Sequence, residues 1–204
     1  MTDTQIDRIK KLLENYNSNL KPMIVVLESE DSEYPVEVLN EIRAILNHLS
    51  RIAVLDSADS DEEKIDLQIH DAEGHLKRAL FDCFKYSCIS IDDKYRRFRK
   101  ETRNVDLGVI DNGEFPIELG KKYTKAKNSL THARLVENDP TMNDSEAVYE
   151  RFQKAYVEYT ALSNYIDDSI AKVERAKHKQ TAQQLISYGI GIVGIVFGVI
   201  QLLF

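Results

Sequence analysis

Apolar residues recur at helical spacing over most of the chain, which predicts an all-α fold. The first pattern runs from Ile6 to Tyr16, and we expect residues 17–19 (Asn, Ser, Asn) and Pro22 to break it. A stronger pattern opens at Pro35 and ends before the acidic turn at residues 56–61. Its apolar face consists of Val38, Leu39, Ile42, Ile45, Leu46, Leu49, Ile52 and Ala53.

The following helix is predicted to begin with a capping box formed by Ser60 and Glu63, and its pattern extends towards and past Ile91. The tract from Val105 to Pro116 is rich in Gly, Asn and Pro and predicts a loop. A further helix is expected from about residue 118 to residue 136, where the sequence NDPTMND ends it. The apolar side of the helix after Ser60 carries Ile65, Ile69, Ala72, Leu76, Ala79, Leu80 and Cys83.

From Asp144 onward no helix-breaking residue appears before the uncharged segment that starts at Leu185, so one helix is expected to run unbroken from the body of the protein to that segment. Apolar positions recur here every four and three residues. Two explanations stay open, namely packing within the protein's own bundle and an intermolecular coiled coil. The repeat consists of Val148, Phe152, Ala155, Tyr159, Leu162, Ile166, Ser169, Val173 and Ala176.

The segment Leu185–Phe204 contains no charged residue, and a helix of twenty residues is about 30 Å long, which matches the hydrocarbon core of a bilayer. It is therefore predicted to be a single transmembrane helix, with a buried C-terminal core helix as the alternative. Basic residues between 172 and 179 precede it, so the positive-inside rule keeps residues 1–181 cytoplasmic at the inner membrane. Two pairs of small residues allow close helix packing in lipid and hence a homo-oligomer: Ser187 with Gly191, and Gly194 with Gly198.

Composition limits the possible partners and chemistry. The net charge of −7 argues against a protein that binds nucleic acid over its whole surface, although a local basic patch remains possible. Cys83 and Cys88 lie about 140° apart on one helix and indicate packing thiols, and the polar N-terminus lacks the features of a secretory signal. No motif for a metal or a cofactor is found, so none is predicted.

The segment EIRAILNHL contains Arg43 and His48, and AEGHLKRALFDCFKY follows on the next helix. Over residues 35–92 the chain thereby resembles the HEPN superfamily of helical domains, whose ribonuclease members use an R-x4-6-H motif. The resemblance implies that Arg43 and His48 meet their dimer mates across an interface, where Arg43 stabilises phosphate charge and His48 assists proton transfer without a metal. Ala44 departs from the polar residue that active members commonly carry there, and the alternative is a solvated Arg43 beside a packing His48.

Two further groups of residues are candidates for phosphate or RNA contacts. Asp71, His75, Arg78 and Asp82 share one stripe of a helix, where Asp71 would orient His75; the alternative is an ordinary charge ladder. The segment Lys94–Arg103 places Arg96, Arg97 and Arg99 around Tyr95 and Phe98, which suits phosphate contacts with base stacking. Anionic lipid headgroups and a solvated basic face are the alternatives.

These observations lead to an all-α, HEPN-like helical bundle whose long C-terminal helix enters the membrane. The first functional hypothesis is a non-enzymatic, oligomeric effector that perturbs or perforates the inner membrane. It resembles the membrane-bound HEPN-like accessory proteins of RNA-targeting CRISPR and other antiphage systems, which implies RNA or an RNA-guided defence protein as a partner. The alternatives are a membrane-tethered ribonuclease that uses Arg43 and His48, and a passive tail-anchored scaffold.

Overall fold

The computed structural model describes residues 1–30, 35–57, 62–139 and 145–203. The described part of the chain contains no β-strand, which confirms the predicted all-α class. A π-helical turn, Tyr16–Leu20, and a 3-10 helix, Leu107–Gly113, lie between α-helices. The helices are α1 (Asp3–Asn15), α2 (Lys21–Glu30), α3 (Val36–Ser57), α4 (Glu62–Glu101), α5 (Glu114–Glu137) and α6 (Ser145–Leu203).

The predicted break after Tyr16 is wrong, because the chain stays helical from α1 into α2. The π-helical turn widens the backbone, and the Lys21 N–H donates to the carbonyl oxygen of Tyr16, five residues earlier. Pro22 is thereby placed in the first turn of α2, where its missing N–H is tolerated. Leu12, Leu20 and Leu27 all pack into one buried cluster.

The predictions for α3 and α4 are largely confirmed. Helix α4 is a single helix of 40 residues, and the predicted apolar positions from Ile65 to Cys83 are buried. The buried face of α3 is narrower than predicted, because Leu39 is 50% exposed and Leu46 is 61% exposed. Ser60, the predicted capping residue of α4, lies outside the described residues.

Helix α6 is continuous over 59 residues, and all nine positions of its predicted repeat are buried within this one chain. Phe152, Tyr159 and Leu162 are completely buried. Packing inside the protein's own bundle is therefore the correct explanation of the repeat. Each such side chain contributes about 1.5–3 kcal/mol of hydrophobic free energy.

The chain divides into two compact units. Unit 1 comprises residues 1–92 and 125–160, and unit 2 comprises residues 93–124 and 161–204. In unit 1, α1, α2 and α3 pack on the first half of α4 through a core that includes Leu20, Val38 and Leu76. In unit 2, Phe115 stacks on Tyr165, with ring centroids 5.6 Å apart, and meets Phe98 edge to face.

Both cysteines are free and buried in α4, as predicted for packing thiols. Burial raises the pKa of Cys83 and the pKa of Cys88 to about 12 each. Both thiols therefore stay protonated at neutral pH and are poor nucleophiles.

Across the residues that the structure describes, none of the helices has both the length and the apolar character needed to cross a bilayer. Within the predicted span, α6 is helical to Leu203, whereas Phe204 and the side chains of residues 185 and 187–203 lie outside the described part. The finding lends no support to the span, which stays a prediction together with the inner-membrane location.

The predicted loop at residues 105–116 instead contains the 3-10 helix, whose last residues leave helical geometry and reverse the chain into α5. Asp111 and Asn112 adopt left-handed backbone conformations with φ of 50° and 54°, and Gly113 has a φ of 90°. Pro116 lies in the first turn of α5, where proline is tolerated. The reversal requires glycine at position 113, because a side chain is strained at that φ.

We expect Gly113→Ala to lower the free energy of unfolding by about 1–2 kcal/mol, the cost of a left-handed conformation for an L-residue. The matched control is Gly120→Ala in α5, where an added Cβ has no neighbour within 4 Å. This control is expected to raise stability by about 0.5–1 kcal/mol, because alanine favours the helix. Denaturant titration of both variants in detergent measures the difference, and equal stability of the two would contradict the role of Gly113.

Candidate functional site

Arg43 and His48 lie on different sides of α3, as their spacing predicts. Arg43 is exposed, whereas the His48 side chain is only 12% exposed and faces α4. The His48 Nδ1 atom lies 2.9 Å from Gln68 Oε1 and 4.0 Å from Asp71 Oδ2. Because an amide oxygen only accepts, Nδ1 carries a proton and donates to Gln68. The chain itself therefore does not bring Arg43 and His48 together.

A second histidine lies beside His48. The rings of His48 and His75 have centroids 5.1 Å apart and are tilted by 31°. One imidazole comes from α3 and the other from α4, so the packing of these two helices creates the pair. Two imidazole rings thus adjoin each other at the α3–α4 interface.

Glu41, rather than Asp71, is the carboxylate that contacts His75. Glu41 Oε2 lies 2.6 Å from His75 Nδ1 and 3.1 Å from Arg78 Nε, and Arg78 Nη2 lies 2.8 Å from the same Nδ1. A protonated Nδ1 donates to the carboxylate, whereas an unprotonated Nδ1 accepts from the guanidinium. The two contacts of Nδ1 are therefore alternatives that depend on the tautomer of His75.

Asp82 extends this polar interface along α4. Burial is the main cause that raises the pKa of Asp82 to about 6; Lys85 opposes the rise, and the negative charges of Glu41, Glu37 and Glu137 add to it. The neighbouring Tyr86 also has a pKa raised to about 12, mainly by burial and then by its hydrogen bond to Glu37. Removal from water, more than the neighbouring carboxylates, therefore disfavours the charged form of Asp82.

The chemistry available to this group is proton transfer beside a cation. Two imidazoles, the Glu41 carboxylate and the Arg78 guanidinium are the kinds of groups that metal-independent phosphodiester cleavage uses. Among the residues described in the structure, no group of three or more His, Cys, Asp or Glu is arranged to hold a metal ion.

Sequence reasoning missed Glu41 and Gln68 as members of this group. Each precedes a predicted site residue by seven positions, Glu41 before His48 on α3 and Gln68 before His75 on α4. Residues seven positions apart are about two helical turns apart and lie on one face of the helix. This spacing could have identified Glu41 and Gln68 as candidates from the sequence. The contacts between residues of α3 and residues of α4 cannot be identified from a single sequence.

The basic segment at the end of α4 keeps its charges exposed but not its aromatic rings. Arg96, Arg97 and Arg99 are exposed. Tyr95 stacks on Tyr123 with ring centroids 3.9 Å apart, and Phe98 is only 9% exposed. Both rings are thus engaged within the protein, so the predicted stacking of bases on them is not supported.

The candidate packing residues Ser187, Gly191, Gly194 and Gly198 belong to the helical backbone of α6. Their surroundings lie outside the described part of the chain. The predicted self-association through these four positions stays a prediction.

Comparisons of this chain with protein families, with curated proteins and with solved structures found no match. The resemblance to the HEPN superfamily is therefore neither supported nor refuted, and it stays a prediction.

Replacing Asp82 by Asn is expected to stabilise the protein at high pH. Because the folded protein binds the Asp82 proton more tightly than the unfolded chain does, the contribution of Asp82 to stability falls as the pH rises from about 4 to about 6. We expect Asp82→Asn to raise the free energy of unfolding by about 1–3 kcal/mol at about pH 8 and by much less at about pH 4. Chemical denaturation across this pH range measures the effect.

The control for this experiment is Asp93→Asn, which removes an exposed carboxylate from the same helix. It should leave the pH dependence of stability unchanged. If both variants changed the free energy of unfolding by the same amount at every pH, the burial of Asp82 would not be the cause of the pH dependence.

Proposed function

We propose that this protein is a non-enzymatic, membrane-anchored effector whose C-terminal helices assemble and perturb the bilayer. The observation that carries the proposal is the continuity of α6. One helix of 59 residues includes both the buried repeat of the body and the uncharged segment from Leu185 onward. In this proposal, a displacement of the body is passed along the same continuous helix, which a flexible linker would not do.

The sequence of the terminal segment supports membrane attachment. Twenty residues without a charge provide about 30 Å of helix, and the burial of such a surface inside a protein of this size would need a large additional core. Lys172, Arg175, Lys177 and Lys179 precede the segment on α6 and favour a cytoplasmic body.

The pairs of small residues support assembly in the membrane. Gly194 and Gly198, like Ser187 and Gly191, are four residues apart and so lie on one face of the helix. Small side chains at this spacing let two helix backbones approach closely in lipid, where dispersion contacts drive association. The antiphage setting and an RNA-guided partner belong to this proposal through the HEPN resemblance alone.

The geometry of α3 favours a function without RNA cleavage by the predicted pair. Arg43 is exposed and His48 is bonded to Gln68 in the α3–α4 interface. Within one chain, the exposed Arg43 guanidinium thus lies on a different side of α3 from the His48 imidazole.

Release of a trapped dye from vesicles tests the membrane activity. We expect the full-length protein to release dye, and Gly194→Leu with Gly198→Leu to abolish release, because leucine side chains separate the packed helices. Gly194→Ala with Gly198→Ala is the matched control, since alanine retains the close approach and should retain most of the release. Unchanged release in the leucine variant would contradict assembly through these glycines.

A second control separates assembly from insertion. Ile192→Asp with Ile195→Asp places two charges near the centre of the segment, at a cost of about 2.5–3.5 kcal/mol each. This variant is expected to leave the membrane fraction and to release no dye. If it still released dye, insertion of this segment would not be the cause of leakage.

The His48–His75 pair favours one second candidate, a metal-independent ribonuclease that uses these two histidines with Arg78 in place of Arg43. The ring separation of 5.1 Å and the contact of Arg78 with His75 support it.

An RNA-cleavage assay on the full-length protein in the presence of EDTA distinguishes the candidates. The effector proposal predicts no cleavage. Cleavage that His75→Ala abolishes and Arg43→Ala preserves would establish the histidine pair, whereas the opposite result would establish the predicted Arg43 and His48 pair. His132→Ala, on α5, is the control for a histidine outside the group.

A further inference from the structure

The side chain of Gln180 ties the turn after α4 to α6. Its Nε2 atom donates to the carbonyl oxygen of Asn104 at 3.0 Å, and its Oε1 atom accepts from the N–H of Asp106 at 3.1 Å. Both ends of one amide thus bind the backbone of one turn, and all three residues belong to unit 2. The position of the turn along α6 is therefore fixed at residue 180.

Within unit 2, α4 and α6 run in the same direction. Lys94 contacts Ser163 at 2.8 Å and Asp167 at 2.7 Å, and ten residues further along the chain the turn after α4 contacts Gln180. The C-terminal end of α4 therefore points the same way as the C-terminal segment of α6. Leu185 follows Gln180 by five positions, which is a rise of about 7.5 Å along the helix.

Basic residues outnumber acidic ones at this end of unit 2, which also carries the exposed Glu101 and Asp106. Arg99 and Lys100 lie in the last turn of α4, Arg103 follows in the turn, and Lys177 and Lys179 lie on α6. All five side chains belong to exposed residues. We call these five residues the basic end. Lys177 is 3.8 Å from Glu174 within its own helix, an exposed pair that screening weakens.

The charge of the chain is divided between its two units. Unit 1 contains fifteen Lys and Arg against twenty-five Asp and Glu, whereas unit 2 contains twelve Lys and Arg against nine Asp and Glu. The basic end therefore belongs to the only cationic part of an acidic protein. An anionic partner is attracted to unit 2 and repelled by unit 1.

We propose that the basic end, held in place by Gln180, binds anionic lipid headgroups at the membrane surface. The inference rests on the proposed membrane anchor, because the headgroup layer adjoins the hydrocarbon core within about 5–8 Å on each side. The turn that Gln180 binds lies about 7.5 Å from Leu185 along the helix, which places it within the headgroup layer. Each cationic side chain that reaches an anionic surface strengthens binding about fivefold.

A lipid surface fits the basic end better than RNA does. Single-stranded RNA is bound by basic side chains together with exposed aromatic rings on which bases stack. Tyr95 is stacked on Tyr123 and Phe98 is buried, so the basic segment supplies charge without a stacking platform. Charge alone, beside an apolar helix, is what a bilayer of anionic lipids requires.

The test uses the full-length protein reconstituted in bilayers with spin-labelled lipids, and electron spin resonance reports lipids immobilised by the protein. We expect a several-fold preference for phosphatidylglycerol over phosphatidylcholine. Arg99→Gln with Lys100→Gln and Arg103→Gln should reduce this preference at least roughly threefold, and about 1 M salt should do the same because it shortens the Debye length to about 3 Å.

Two further variants sharpen the result. Arg51→Gln with Arg151→Gln and Lys154→Gln removes three exposed charges from unit 1 and should leave the preference unchanged. Gln180→Ala keeps every charge but releases the turn, so a reduced preference would show that position matters as well as charge. An unreduced preference would overturn the role assigned to Gln180.

The outcomes separate the inference from the proposal on which it rests. If neither lipid is immobilised, the chain is not inserted and the membrane anchor itself fails. If both lipids are immobilised equally, the anchor stands and the headgroup site is overturned. A phosphatidylglycerol preference that survives the triple substitution in α4 and its turn would likewise overturn the site, and RNA binding lost in that variant would then assign these charges to RNA.

Discussion

The burial of one side of α6 is the constraint on which the rest of the structure depends. Its nine buried positions from Val148 to Ala176 fix the rotation of the helix about its own axis. A rotated helix would expose Phe152 and Tyr159, which are fully buried, and would lose several kcal/mol of hydrophobic free energy. Within unit 2, the burial of Ile166, Val173 and Ala176 likewise determines the sides of α6 on which Lys177 and Gln180 lie.

The long helices could be predicted from sequence because each has a strong apolar period and a clear terminus. The pattern from Ile65 to Cys83 and the repeat in α6 gave correct buried positions. The prediction of a helix break after Tyr16 was wrong for a physical reason. A polar stretch followed by Pro22 can form either a loop or a widened helical turn. Local sequence does not distinguish them, because the packing of Leu20 against α3 and α4 decides the result.

Less of the candidate site could be predicted, because its geometry depends on contacts between helices. His48 and His75 were each identified, but their separation of 5.1 Å follows from the register of α3 against α4. The carboxylate beside His75 is Glu41, on the other helix, although Asp71 on the same helix was the expected partner. Periodicity gives the face on which a side chain lies, whereas tertiary packing selects its neighbour.

The π-helical turn at Tyr16–Leu20 makes the N-terminal segment tolerant of a change in chain length. Leu12 and Leu20 are eight residues apart, and an uninterrupted α-helix would rotate Leu20 about 80° away from the face of Leu12. The widened turn absorbs that excess, so both side chains enter one cluster. Loss of one residue here would leave a seven-residue spacing and a misalignment of about 20°, so the turn marks where a single-residue insertion is accommodated without repacking.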